Sequence, residues 1–237
     1  MNLPSLVIQA KLAEQAERYE DMATFMKQYV ESGAQLTNDE RNFFSVAFKN
    51  VVGQRRSSFR VLNSLMEYPD FEKTLCMDYR ATIIKELVDQ CNQVLELLDK
   101  YLIPSTTNDE SKVFYLKMKG DYYRYLAEVT TNDDDLEKLK VSATESYKQA
   151  EEATAQLLAT NPIKLGLALN HSVFYYEILS QSEQACKMAK EAFDAAIGAL
   201  DTLNDTDYKD STLIMQLLRD NLTLWSQDNE ADDEDGV

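Results

Sequence analysis

The chain has 237 residues, 41 acidic against 24 basic, for a formal net charge of −17. That balance excludes nucleic acid and anionic membrane surfaces as general partners. Six Gly and four Pro leave few breaks, so long helices with short connections and a sizeable core are expected. No N-terminal signal pattern is present, and the uncharged run Leu165–Tyr176 is far too short to span a bilayer. A soluble protein of the cytoplasm, also reaching the nucleus, is expected. Cys76, Cys91 and Cys186 have no paired spacing and form no disulfide framework; Cys91 reads as a buried thiol. The single histidine, His171, leaves no two-His metal motif within the chain, and amid apolar neighbours it reads as packed and hydrogen-bonded rather than as a general base.

Apolar residues recur at helical spacing almost throughout, with no strand-like alternation. A first amphipathic helix spans about Leu3 to Ala16 and a second about Tyr19 to Glu31, with Gly33 as its stop. Thr37-Asn-Asp-Glu40 has the capping-box pattern, in which the Thr hydroxyl takes an orphan N–H and the Glu reaches back. It opens a long third helix that ends near Tyr68-Pro69. In the fourth helix Ile84, Val88, Cys91, Leu95, Leu98 and Leu102 step 4-3-4-3-4, a packing seam; Pro104 ends it.

Thr107-Asn-Asp-Glu110 repeats the capping-box pattern ahead of a fifth helix, about Asp109 to Val129. A sixth follows the polar turn Thr130 to Asp135 and runs to about Thr160. Asn161-Pro162 is an N-cap with Pro at the first helical position and opens a seventh, to about Leu179. The eighth covers about Ser182 to Leu203, and the ninth about Asp207 to Ser226. The fold class is all-α, nine helices with short loops and hence antiparallel neighbours, an arrangement that suits TPR-like stacked helix pairs. Residues 1–226 read as one helical domain and 227–237 as a disordered acidic tail.

From Asn42 to Met66 there is no acid, yet Lys49, Arg55, Arg56 and Arg60 fall inside. Lys49, Arg56 and Arg60 lie within about 40° of one another on a helix. Like charges on one face repel, so either distant carboxylates or a ligand anion must offset them. On the fifth helix Lys117, Asp121, Arg124 and Glu128 share a face beside Tyr125, with i,i+3 and i,i+4 pairs as in an ordinary salt-bridged surface. Arg56 and Arg124 with the Tyr125 phenol are nevertheless the donor set that a phosphate monoester dianion requires. Leu213, Ile214, Leu217 and Leu218 form an apolar strip on the ninth helix, with core packing its default role and Asn221 one turn on. Asn170, Val173 and Glu177 share a side of the seventh. Asn170 and Asn221 amides each offer a donor and an acceptor to a peptide main chain. No catalytic motif, Gly-rich phosphate loop or metal-ligand cluster occurs in the sequence, and no cofactor is called for.

Over Leu6 to Trp225 the sequence resembles the 14-3-3 family, most specifically in Lys11–Tyr19, Tyr115–Val129, Leu165–Asn170, Ser172–Ile178 and Tyr208–Trp225. The resemblance implies a cup-shaped, nine-helix protomer, dimeric through its N-terminal helices and with one phosphopeptide groove per subunit. It implies a non-enzymatic adaptor for phosphoserine and phosphothreonine clients, acting as a homodimer or as a heterodimer with related subunits. By that resemblance Lys49, Arg56, Arg124 and Tyr125 bind phosphate. Asn170 and Asn221 hold the peptide backbone, Lys117 and Glu177 line the groove, and Leu169, Val173, Leu213, Ile214 and Leu217 form its apolar wall. Leu12, Ala16, Leu62, Leu65 and Tyr79 fall at the dimer seam, and Arg18 pairs across it with Glu86. Ser58, within Arg55-Arg-Ser-Ser58, matches a serine whose phosphorylation opens dimers. Three positions depart from the family pattern: Phe59 replaces a Trp, His171 a Phe, and Thr82 a Lys that in many members pairs with Asp21 across the seam. A scaffold for unphosphorylated partners, using the strip on the ninth helix, is the alternative.

Overall fold

A computed structural model describes residues 3–68, 70–200 and 205–234, with side chains through 227 except those of 205–207. Every regular element among the described residues is helical: α1 (Leu3–Gln15), α2 (Tyr19–Glu31), α3 (Asn38–Leu65), α4 (Lys73–Leu97), α5 (Asp109–Val129), α6 (Asp133–Glu152), α7 (Pro162–Glu177), α8 (Ser182–Ile197) and α9 (Asp205–Glu234). A π-helical turn, Leu98–Leu102, continues α4. The chain divides into two compact units, Met1–Thr106 and Thr107–Val237.

In the first unit α1 packs on α2, α2 on α3 and α3 on α4. Met22, Met26, Val30, Phe44, Phe48, Leu87 and Cys91 are fully buried, with the Phe44 and Phe48 rings 4.9 Å apart. The expected seam of α4 holds from Cys91 onward. Before it the core is entered by Ile83 and Leu87, while Ile84 and Val88 are only half-buried. Helix α3 opens on the predicted capping box: the Glu40 N–H donates to Thr37 Oγ1 at 3.3 Å and the Thr37 N–H to Glu40 Oε2 at 2.8 Å. It ends at Leu65, short of Pro69, which lies outside the described residues. Gly33 stops α2 with φ +79°, a left-handed conformation that a side chain would disfavour.

In the second unit α5 packs on α6 and α7, and α7 on α8 and α9. Leu165, Ala185, Ala189, Met215, Leu218 and Trp225 form its apolar cluster, and Tyr176 stacks on Trp225 at 4.7 Å. The cap of α5 corrects the expected box by one residue. Asn108, not Thr107, is the N-cap, its Oδ1 accepting from the Ser111 N–H at 2.8 Å; its planar amide, like a Thr hydroxyl, reaches the orphan donors. Asn161 and Pro162 open α7 as expected.

Three helix ends fall elsewhere than the periodicity predicts. Helix α6 stops at Glu152 rather than near Thr160, and the turn that follows it is held by side chains. Thr154 Oγ1 donates to the Glu151 carbonyl at 2.7 Å, and Lys164 Nζ donates to the carbonyls of Thr154 and Leu157 at 3.4 and 3.2 Å. Helix α8 ends at Ile197 ahead of Gly198, and the expected end at Leu203 lies outside the described residues. Helix α9 runs on to Glu234 instead of ending near Ser226, so its backbone covers most of the segment read as a tail; residues 235–237 lie outside the described residues. No helix among the described residues is long and apolar enough to cross a membrane.

Candidate functional site

In the first unit Lys49, Arg56 and Arg60 ride on α3 as the spacing predicts, with Lys49 and Arg60 exposed and Arg56 half-buried. Lys49 stands at an open cleft of about 680 Å³ that Arg18, Asp21 and Gln54 also line. Arg55 has a different task. Its Nη1 meets Glu20 Oε1 at 2.8 Å and its Nε meets Glu86 Oε2 at 3.1 Å, so this guanidinium ties α2, α3 and α4 together. Among the described residues no carboxylate of this unit pairs with Lys49.

In the second unit Asp121 is the centre of the arrangement. It lies 5% exposed on α5. Lys117 Nζ reaches its Oδ2 at 2.8 Å and Arg124 Nη2 its Oδ1 at 3.5 Å, the i,i+4 and i,i+3 pairs that the sequence predicts. The expectation of an ordinary surface is corrected, since both Asp121 and Arg124 are buried. Two further donors arrive from other helices. Tyr147 of α6 gives its hydroxyl proton to Asp121 Oδ1 at 2.7 Å, and Asn170 of α7 gives its Nδ2 to both oxygens at 2.9 Å. Four donors around one carboxylate satisfy a charge that would otherwise be costly to bury.

Burial by itself would raise the Asp121 carboxyl, but Lys117 and Arg124 outweigh it and hold the group below the usual carboxylate range. Burial would likewise lower Arg124. Tyr147, Tyr125 and Asp121 overcome it and keep the guanidinium well above its ordinary value. Burial, with Asp121 beside it, pushes the Tyr147 phenol well up, so its hydroxyl stays a donor. The Arg124 guanidinium also lies over the Tyr125 ring, 4.8 Å from its centre, a cation–π contact that fixes its plane. The Asn170 amide spends its nitrogen on Asp121 and keeps Oδ1 as an acceptor, half of the pair of functions that its residue type offers.

Along the rest of this unit, Leu169, Val173 and Ile214 are half-buried beside the apolar cluster. Leu213 is 62% exposed and Leu217 45% exposed, while Leu218 is fully buried. Core packing therefore holds for Leu218 and fails for Leu213 and Leu217: the side of α9 that faces inward carries Ser211, Met215, Leu218 and Trp225. Asn221 is half-buried, and Glu177 is exposed at the end of α7. Among the positions assigned to the dimer seam, Leu12 and Tyr79 are exposed, Ala16 is exposed, Leu65 half-buried and Leu62 buried. Arg18 pairs with Asp21 next to it, and Glu86 with Arg55. Ser58 Oγ donates to the Gln54 carbonyl at 3.0 Å.

His171 is packed as expected, 1% exposed, with Nδ1 2.8 Å from Glu151 Oε1 and its ring 4.8 Å from that of Tyr147. Tyr147 itself escapes sequence reasoning. Its neighbours in spacing, Ala143 and Ala150, are buried and apolar, so it reads as one more core residue. Gly120 is the visible trace of it: a Cβ there would come within 2.7 Å of the Tyr147 ring.

The fold and these sites define a helical binding protein that displays cations, amides and an exposed apolar strip. Residues 9–226 match the pattern of the 14-3-3 protein family. The chain is 56% identical to 14-3-3 protein beta/alpha-A of Xenopus laevis over 241 aligned positions, covering 100% of this chain and 98% of that one. It is 57% identical to 14-3-3 protein beta/alpha of Homo sapiens over 239 positions, 99% and 97% of the two chains, and equally to that of Gallus gallus, 99% and 98%. The chain belongs to the 14-3-3 family. Its role is that of an adaptor that binds client proteins, not of an enzyme.

Proposed function

We propose that this adaptor takes phosphoserine and phosphothreonine segments of its clients. Arg124 and Tyr125 of α5 bind the phosphate, and Lys49 and Arg56 of α3 are the further phosphate-binding cations that the family resemblance implies. Asn170 and Asn221 hold the peptide main chain, with Lys117 and Glu177 alongside, and Leu169, Val173, Leu213, Ile214 and Leu217 meet its apolar side chains. The observation that carries this reading is the Arg124 guanidinium. It is buried and held charged, its plane is set by Tyr125, and it shares its carboxylate with Lys117. A phosphate monoester carries about −1.5 to −2 charges and pairs with planar N–H donors in forks, so an acidic protein can take it where cations dominate locally. No bond is made or broken; the client is clamped, masked or reshaped.

The protomer works as a homodimer, or as a heterodimer with related subunits, through Leu12, Ala16, Arg18, Asp21, Ser58, Leu62, Leu65, Tyr79 and Glu86. Leu12, Leu75, Met77 and Tyr79 are each about 60% exposed on α1 and α4, apolar surface available to a partner protomer. Two grooves on one dimer would raise affinity for a doubly phosphorylated client by roughly 10² or more. The proposed compartment is the cytoplasm, with access to the nucleus; three free thiols suit a reducing environment.

The exposed Leu213 and Leu217 favour one second reading, a scaffold for unphosphorylated partners. Titrating one peptide in phosphorylated and unphosphorylated forms separates the two. The proposal predicts tight binding of the first form and little of the second, whereas equal affinities favour the scaffold.

A further inference from the structure

Tyr147 lies on α6, a helix that carries no residue assigned to phosphate or peptide, yet its hydroxyl sits between Asp121 and Arg124 of α5. It donates to Asp121 Oδ1 at 2.7 Å and accepts from Arg124 Nε at 3.3 Å. The residue is fully buried, and its ring cannot turn away. The imidazole of His171 stacks on it at 4.8 Å with 18° between planes, Phe174 packs at 5.5 Å, and the α-carbon of Gly120 closes the remaining side so tightly that a methyl group there would overlap the ring. A packed phenol in this position is a fixed post for the guanidinium. With Nε on Tyr147 and the plane over Tyr125, Arg124 has lost most of its rotamer freedom before any ligand arrives. The entropy that a long side chain would otherwise lose on binding is already spent in folding. The same hydroxyl steadies the carboxylate that Asn170 and Lys117 use.

We infer that Tyr147 is a positioning residue for the phosphate site, whose hydroxyl presets the aim of Arg124 and, through Asp121, that of Asn170 and Lys117. The inference rests on the phosphopeptide reading above and names a residue outside the contact set. It predicts that loss of the hydroxyl alone weakens the phosphate-dependent part of binding and leaves the rest. It also explains the glycine at position 120, since the ring can approach α5 this closely only where no Cβ intervenes.

The test titrates three full-length proteins: wild type, Tyr147→Phe and, as a packing control, Phe174→Leu, which trims a ring beside Tyr147 and keeps the hydroxyl. Each is titrated with one phosphopeptide and its unphosphorylated twin, and the Arg124 Nε–H resonance is followed by NMR, assigned by its loss in Arg124→Lys. The expected result for Tyr147→Phe is roughly tenfold weaker phosphopeptide binding, an unphosphorylated twin changed less than about twofold, and a displaced Arg124 Nε–H signal. Phe174→Leu should melt earlier yet keep the wild-type ratio between twins. Phosphopeptide affinity in Tyr147→Phe equal to wild type, or an equal drop in Phe174→Leu, overturns the inference. A wild type that binds both twins alike removes the phosphopeptide reading itself, and this inference with it.

Discussion

Asn170 Nδ2 donates to both oxygens of Asp121, 2.9 Å each, joining α7 to α5 through one buried carboxylate. Asp121 is held below the usual carboxylate range by Lys117 and Arg124 against the effect of burial. A depressed folded value means that the group's stabilisation is complete above its unfolded value, about 3.9, and is lost as pH falls through the folded one. Asp121→Asn leaves two cations without their counter-ion and should cost about 3 kcal/mol or more near neutral pH. The gap between wild type and variant should begin to narrow below about pH 4 and shrink further as the pH falls. Urea unfolding of both proteins at pH 7 and pH 3 checks this; a gap independent of pH would remove Asp121 from the ion-pair account.

Gly120 inverts an ordinary rule. Replacing a mid-helix glycine by alanine usually stabilises by up to about 1 kcal/mol. Here the added Cβ would meet Tyr147 ring carbons at 2.7 Å, and His171 stacked on that ring blocks retreat. Gly120→Ala should therefore destabilise by about 1–3 kcal/mol, while Gly53→Ala, whose Cβ meets nothing within 4 Å, should be neutral or stabilising. Chemical denaturation of the two variants measures the contrast.

Neighbouring leucines on α9 should separate binding from stability. Leu217 is 45% exposed and Leu218 fully buried. Leu218→Ala should cost about 2–5 kcal/mol of folding free energy. Leu217→Asp should leave the thermal midpoint nearly unchanged and weaken peptide binding by placing a charge on the apolar wall. Calorimetric melts and peptide titrations of both variants read the two effects independently.

The start of α5 gives a smaller test. Asn108 caps the helix and Thr107 makes no capping bond. Asn108→Ala should cost about 1 kcal/mol, and Thr107→Ala close to nothing; equal losses in urea unfolding would restore the capping box one residue earlier.

Much of this was legible in the sequence because it is local. Helical periodicity, the Thr37 box and the Asn161-Pro162 start depend on residues within one turn of each other, and so do the Lys117–Asp121–Arg124 pairs. What the sequence hides is set between helices. Nothing near Tyr147 announces that its hydroxyl reaches a carboxylate 26 residues away, nor does anything near Asn170 announce one 49 away. The turn after α6 is held from outside in the same way, since Lys164, ten residues beyond Thr154, takes up the Thr154 carbonyl. Leu213 and Leu217 are as apolar as Leu218; only the packing of α9 on α7 and α8 decides which of them stays exposed.

The central proposal is that Arg56 of α3 and Arg124 of α5 each contribute to binding a client's phosphate. Isothermal titration of a single phosphopeptide into wild type, Arg56→Ala and Arg124→Ala tests it most directly. Each variant loses a charge-assisted fork, so each should bind at least about tenfold more weakly than wild type, with affinity for the unphosphorylated form unchanged. Wild-type affinity for the phosphopeptide in both variants would contradict the account.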